Sequence, residues 1–146
     1  MIMESEDGRA GRVLGVDPGT KRTGLAISDE LGFTAQGLPT FERGGAKDLV
    51  AHIAAIAAAH GVDEVVVGLP LSMSGGDIEG SVRSRELAGL IERECGLKTV
   101  LRDERMTSLE AERVMRREGR IRSAADIDRL AAVLLLQGYL DERSGG

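Results

Sequence analysis

Val13-Leu-Gly-Val-Asp-Pro-Gly-Thr-Lys-Arg-Thr-Gly24 is the stretch on which the fold turns. Val13 to Val16 is a short apolar run and reads as a buried strand. It ends in an acid, Asp17, followed at once by the turn signal Pro18-Gly19. The apolar pattern resumes at Gly24-Leu-Ala-Ile27. Asp17 therefore stands where a strand leaves the core and a hairpin begins, held by rigid backbone yet within reach of solvent. An aspartate that merely shapes the turn is the plainer alternative, and the rest of the chain has to decide between them.

Outward from this stretch, residues 1–11 read as a disordered tail, residues 12–142 as a single domain and residues 143–146 as a flexible tail. The acidic start, Met1-Ile-Met-Glu-Ser-Glu-Asp7, lacks the positive charge and apolar core of a signal peptide. Strands are expected at Arg12–Asp17, Thr23–Ser28 and Phe33–Phe41, joined by short links as an antiparallel meander. Pro39 marks the third as an edge or irregular strand. A helix follows over Ala46–His60, with Leu49, Ile53, Ile56 and Ala57 on one stripe and Gly61 as its stop. Glu64–Gly68 is apolar without alternation, which suits a strand buried on both faces. Past the Gly-rich loop Leu69–Gly80, a second helix is expected over Ser81–Cys95, ended by Gly96. Lys98–Arg102 is a fifth strand that delivers Asp103-Glu104-Arg105. Thr107-Ser-Leu-Glu110 has the capping-box pattern, so a third helix should run from there to Glu118. Ser123-Ala-Ala-Asp126 is a second such box. The last helix, Ala125–Glu142, carries Ile127, Leu130, Ala131, Leu134 and Gly138 on one stripe. This order predicts an α/β fold: a five-stranded mixed sheet, three antiparallel strands and then parallel ones, with helices on both faces.

The composition narrows the function. The chain has 146 residues, enough for one domain with a core that needs no disulfide or structural metal. Hydrophobic residues make up 42%, which excludes compositional disorder. Aromatics are only 2%, so the core is aliphatic and base-stacking platforms are few. The single cysteine, Cys95, excludes an internal disulfide and a cysteine-rich zinc site; it reads as a small buried apolar residue. His52 and His60 lack partners at metal-ligand spacing and read as packing or surface residues. The longest apolar run, Leu130 to Leu136, is too short to span a bilayer, so a cytoplasmic protein without a membrane partner is expected. The net charge is -5, yet Arg113 to Arg122 holds five arginines against one acid, Glu118. Such a patch can steer a polyanion, or it is a solvated helix face.

Three acidic positions stand out: Asp17 at the end of the first strand, the doublet Asp103-Glu104 at the end of the fifth, and Asp128 in the first turns of the last helix. In a sheet of this order, both strand ends can share one edge with that helix start. Clustered carboxylates repel and raise one another's pKa, and a divalent cation removes the penalty. Oxygen-only ligands suit Mg²⁺ or Mn²⁺ rather than zinc. Two such ions can activate water and stabilise the leaving oxygen of a phosphodiester.

Four ordered blocks now carry a resemblance: Gly15-Val-Asp-Pro-Gly-Thr-Lys-Arg-Thr-Gly24 with Ser28-Asp29; Val66-Val-Gly-Leu-Pro-Leu71; Asp103-Glu-Arg-Met-Thr107 with Glu110-Ala-Glu112; and Asp128-Arg-Leu-Ala-Ala132 with Leu136-Gln-Gly-Tyr-Leu-Asp141. From Arg12 to Asp141 the chain resembles the YqgF/RuvX family of the ribonuclease H-like superfamily. The members are known as Holliday-junction resolvase-like proteins or pre-16S ribosomal RNA nucleases. The resemblance implies an RNase H-like fold and assigns Asp17, Glu104 and Asp128 as metal-binding, catalytic acids. It leaves Asp103 as a neighbour, with Thr107, in a supporting place. It implies that Lys21, Arg22, Arg85 and Arg105 face substrate phosphates, contacts that position a strand without reading its sequence. The chain departs from the family in its loop Ser72-Met-Ser-Gly-Gly76 and in Ser123-Ala-Ala-Asp-Ile127, where relatives often carry lysines.

The expected function is a nuclease dependent on Mg²⁺ or Mn²⁺, with two ions bridged by Asp17. RNA is the preferred substrate, in 5′-end maturation of pre-16S ribosomal RNA. A four-way DNA junction is the alternative, and its symmetric cuts would call for a homodimer rather than a monomer. A non-catalytic nucleic-acid or ribosome-associated binder is a third reading. A sugar kinase or chaperone-type ATPase is a fourth, but it needs two such domains, and 146 residues hold one.

Overall fold

In the computed structural model, residues 11–19, 21–42, 44–70, 78–103, 113–114, 116–119 and 123–145 are described. Glu104, Arg105, Thr107, the loop at 71–77, the tail at 1–10 and most of the expected third helix lie outside the described residues. The end of that helix is seen, where Glu118 N–H donates to Val114 O at 3.1 Å.

The apolar run around Val13–Val16 forms β1 (Arg12–Pro18), and its continuation forms β2 (Thr23–Ser28). The two pair antiparallel, Asp17 opposite Gly24 and Pro18 opposite Thr23. The third strand, β3 (Ala35–Phe41), starts two residues later than the alternation suggested. Asp29 claims the intervening residues for a turn, since its carboxylate accepts Phe33 N–H at 2.8 Å. β3 is an edge strand, as Pro39 requires, and its register against β2 shifts between Leu38 and Phe41, the segment that holds the proline.

Helix α1 (Ala46–His60) ends where Gly61 adopts φ +71°, its N–H donating to Ala57 O at 2.9 Å. β4 (Val62–Leu69) then runs parallel to β1. Helix α2 (Ile78–Cys95) starts three residues before its expected start and stops at Gly96. β5 (Lys98–Asp103) lies parallel to β4. Helix α3 (Ala124–Gly145) closes the described chain. The sheet order is β3-β2-β1-β4-β5, so β1 is the central strand. The expected mixed sheet of five strands is the observed one.

Strand periodicity divides the core. On one face Leu14, Val16, Leu25 and Ile27 meet Leu49 and Ile53 of α1 and Leu87 and Ile91 of α2. On the other, Val13, Ala26 and Val66 meet Ala132, Leu135, Leu136 and Leu140 of α3. The buried stripe of α3 is thus not the expected one. Ala131 is in it, but Leu130, Leu134 and Gly138 are only half-buried. Glycine is the reason: a Cβ on Gly15 would stand 2.9 Å from Leu136 Cβ and 3.4 Å from Ala132 O. Bare backbone on the strand lets the row 128–132–136 come down onto the sheet.

The expected flexible tail at 143–146 is largely helical, α3 continuing to Gly145. Arg143 Nη1 donates to Glu64 Oε1 at 2.8 Å. Glu64 is 6% exposed and also accepts the Tyr139 hydroxyl. A carboxylate this buried requires partners, and meeting it orders the last turns of the helix.

Candidate functional site

Asp17 lies at the end of the central strand, on the face that carries α3, in register with Val13 and Gly15. It is 8% exposed. Its cross-strand partner, Gly24, has no side chain, and the backbone of α3 uses the space: a Cβ on Gly24 would stand 2.0 Å from the Asp128 carbonyl oxygen. The first turns of α3 therefore rest on the residue that pairs with Asp17. Two further contacts hold that end of the helix. Thr40 Oγ1 donates to Ala125 O at 2.8 Å, and Ser123 Oγ accepts Asp126 N–H at 3.2 Å, one half of the expected capping box. In this way residues far apart in sequence, Asp17 and Asp128, come to one face at one edge of the sheet.

The β1–β2 turn is tight. Gly19 N–H donates to Arg22 O at 2.9 Å, and a Cβ on Gly19 would meet that oxygen at 2.6 Å. Beyond this turn the two expected phosphate contacts part. Arg22 Nε donates to Asp128 Oδ2 at 2.7 Å, and both side chains are about one-third exposed. Its Nε is thus engaged by the acid. Lys21 is exposed and lies on the opposite side of the turn, in the wall of a cavity of about 250 Å³ between the turn, α1 and α2. Arg85 is exposed on α2, its Nε donating to Ser81 Oγ at 3.4 Å, and it does not line that cavity. Arg83 does, and sequence reasoning passed over it. Helical spacing was the available signal, because Arg83, Glu86, Leu87 and Leu90 recur at i, i+3, i+4 and i+7.

Asp103 ends β5 opposite Leu69, in register with Leu101 on the α1–α2 side. It does not share the face of Asp17 and Asp128. Glu104, Arg105 and Thr107 lie outside the described residues. The pair Ser28-Asp29 sits at the far end of the sheet and is structural. Ser28 Oγ accepts Val13 N–H at 2.8 Å. The Phe33 N–H, followed by those of Thr34 and Gly32, holds the Asp29 carboxyl below its ordinary range against a smaller opposing effect of desolvation.

Among the described residues, no three His, Cys, Asp or Glu side chains form a cluster able to hold a metal. Asp17 and Asp128, on one face at one end of the sheet, are of a kind that suits a hard cation. Their donors are all oxygen, one of the two is buried, and neighbouring carboxylates favour positive charge between them. Arg22 supplies such charge to Asp128 from the protein side. No described helix is long and apolar enough to cross a membrane.

Comparison with known proteins identifies the family and the fold. The model of the family described as RuvX, Holliday junction resolvase, matches residues 11–142. A protein of Koribacter versatilis, named as a candidate pre-16S rRNA nuclease, is 44% identical over 135 residues, covering 91% of this chain and 88% of its own. A protein of the same name from Shouchella clausii is 41% identical over 138 residues, covering 91% and 96%. Among solved structures, T. thermophilus RuvC in complex with a Holliday junction substrate superposes with a TM-score of 0.61 at 15% identity, over 93% of this chain and 97% of its own. Fowlpox virus resolvase in complex with Holliday junction DNA gives 0.55 at 13% identity, over 90% and 98%. These two share the RNase H-like fold. The chain belongs to the RuvX family.

Proposed function

We propose that this chain is a divalent-metal-dependent nuclease that hydrolyses phosphodiester bonds in a ribosomal RNA precursor, at the 5′ end of pre-16S RNA, in the cytoplasm. The observation that carries the reading is the descent of α3 onto Gly24, which joins the Asp128 segment to the strand end bearing Asp17. The names of the relatives at about 40% identity support RNA over a DNA junction.

Asp17, Asp128 and Glu104 are the residues that would hold Mg²⁺ or Mn²⁺. The family resemblance selects Glu104 over Asp103, whose register with Leu101 puts it on the α1–α2 side of the sheet. When bound, the cations supply the charge that lowers the pKa of an attacking water and offsets negative charge on the leaving oxygen. The protein groups do the rest. Asp17, fixed at the end of the central strand, keeps its carboxylate in place without loop motion. Arg22 pairs with Asp128 and lowers the repulsion between the acids until a cation takes its place. Lys21, Arg85 and Arg105 meet backbone phosphates, and Asp103 and Thr107 support the acids.

Asp17→Asn keeps the shape and removes the charge. With a 5′-extended 16S precursor and Mg²⁺ or Mn²⁺, cleavage by this variant should fall at least a hundredfold, with the unfolding midpoint kept. Cleavage at the wild-type rate would end the proposal. A four-way junction assayed in parallel decides the substrate, since cutting of the junction alone would transfer the reading to a dimeric resolvase.

A further inference from the structure

The cavity behind the β1–β2 turn is left unused by the reaction just proposed. It lies on the face of the sheet away from Asp128, yet Pro18 and Gly19, the residues directly after Asp17, form part of its wall. Its floor is apolar, made by Leu49 of α1 with Leu87 and Leu90 of α2. Phe41, one of only three aromatic residues in the chain, stands in its side. Lys21 and Arg83 supply positive charge, and neither forms an ion pair with another described residue. Glu86 is the single acid among the described residues of the lining.

This combination does not suit a bare anion. A phosphate alone gains nothing from an apolar floor and is repelled by Glu86. Nor does the space, about 250 Å³, reach the roughly 300–1,000 Å³ in which drug-sized ligands are buried. It suits one planar base with its sugar. A base has an apolar face for Phe41 and the leucines, a sugar offers hydroxyl donors to Glu86, and the attached phosphate meets Lys21 and Arg83. We infer that this cavity receives one nucleoside of the substrate strand, next to the segment that passes Asp17, so that the strand crosses the β1–β2 turn from one face of the sheet to the other. The inference rests on the reading of the substrate as a nucleic acid, and it adds a subsite that recognises a base rather than a phosphate.

The test is a titration of the wild-type protein followed by methyl resonances of Leu49, Leu87 and Leu90, with EDTA present. Three probes are compared: inorganic phosphate, 5′-AMP and a hexameric oligoadenylate. 5′-AMP at millimolar concentration should shift these methyls, phosphate should not, and the hexamer should shift the same set at concentrations at least tenfold lower. Arg83→Glu, a change at an exposed helical position, should weaken hexamer binding at least fivefold without moving the unfolding midpoint. Unmoved methyls, equal shifts from phosphate, equal affinity for 5′-AMP and hexamer, or an Arg83→Glu protein that binds the hexamer as wild type does would each overturn the inference. The measurement involves neither metal nor cleavage. A protein that cleaves RNA with unmoved methyls loses only the subsite, and one that binds the hexamer here but cleaves nothing loses only the nuclease reading.

Discussion

Lys21 and Arg22 are neighbours in sequence and face opposite sides of the sheet. The division follows from the Gly19–Arg22 hydrogen bond, which closes the turn and sends consecutive residues to either face. No sequence argument based on charge alone separates them, and the family resemblance implies phosphate contact for both. Arg22 has a different consequence. Its guanidinium occupies Asp128 Oδ2, an atom that a cation would need. Arg22→Gln should therefore tighten Mn²⁺ binding, several-fold by calorimetric titration, while lowering stability by only about 0.5–1 kcal/mol, as expected for a partly exposed ion pair. Weaker Mn²⁺ binding would show instead that Arg22 is needed to orient the acid. Asp17 was legible because a strand-ending acid before Pro-Gly is a local pattern. Arg83 was not, because its importance depends on which wall α2 turns toward the β1–β2 turn.

At the scale of elements, α3 is the part that sequence placed correctly and oriented wrongly. Its existence was plain from apolar periodicity. Its buried face depends on glycines in strands more than a hundred residues earlier, a long-range fact that a window of the helix cannot contain. Gly24→Ala tests this contact. The added carbon meets backbone, which cannot rotate away, so we expect a loss of about 1–3 kcal/mol in urea unfolding and loss of cleavage beyond what the destabilisation explains. Leu136→Ala, at a fully buried position on the same contact row, should cost about 2–5 kcal/mol. The other end of α3 predicts a pH response. Burial and then the hydrogen bond to Glu64 push the Tyr139 hydroxyl up to about 12. Its folded pKa lies above the ordinary value near 10, so its contribution to stability is complete below pH 10 and is lost as pH rises toward 12. The chain has one tyrosine and no tryptophan, so absorbance near 295 nm reports this group alone. A midpoint near 10 in the folded protein would contradict the Glu64 contact.

For the whole molecule, strand order was readable because connection lengths leave few topologies: short links give the meander, and helical crossovers give the parallel strands. The candidate site was readable only in part, since strand ends were placed by topology while side-chain partners were not. Arg22 and Asp128 are separated by 106 positions in sequence, so the strand end with Asp17 emerges from the ribosome well before α3. Until α3 docks, one face of the sheet has no cover and the two acids are not together. A nascent chain on the ribosome thus holds the first half of its site long before the second. If ribosomal RNA precursors are its substrate, a chain that has not yet released α3 from the ribosome carries the strand-end acid without its partner from the helix.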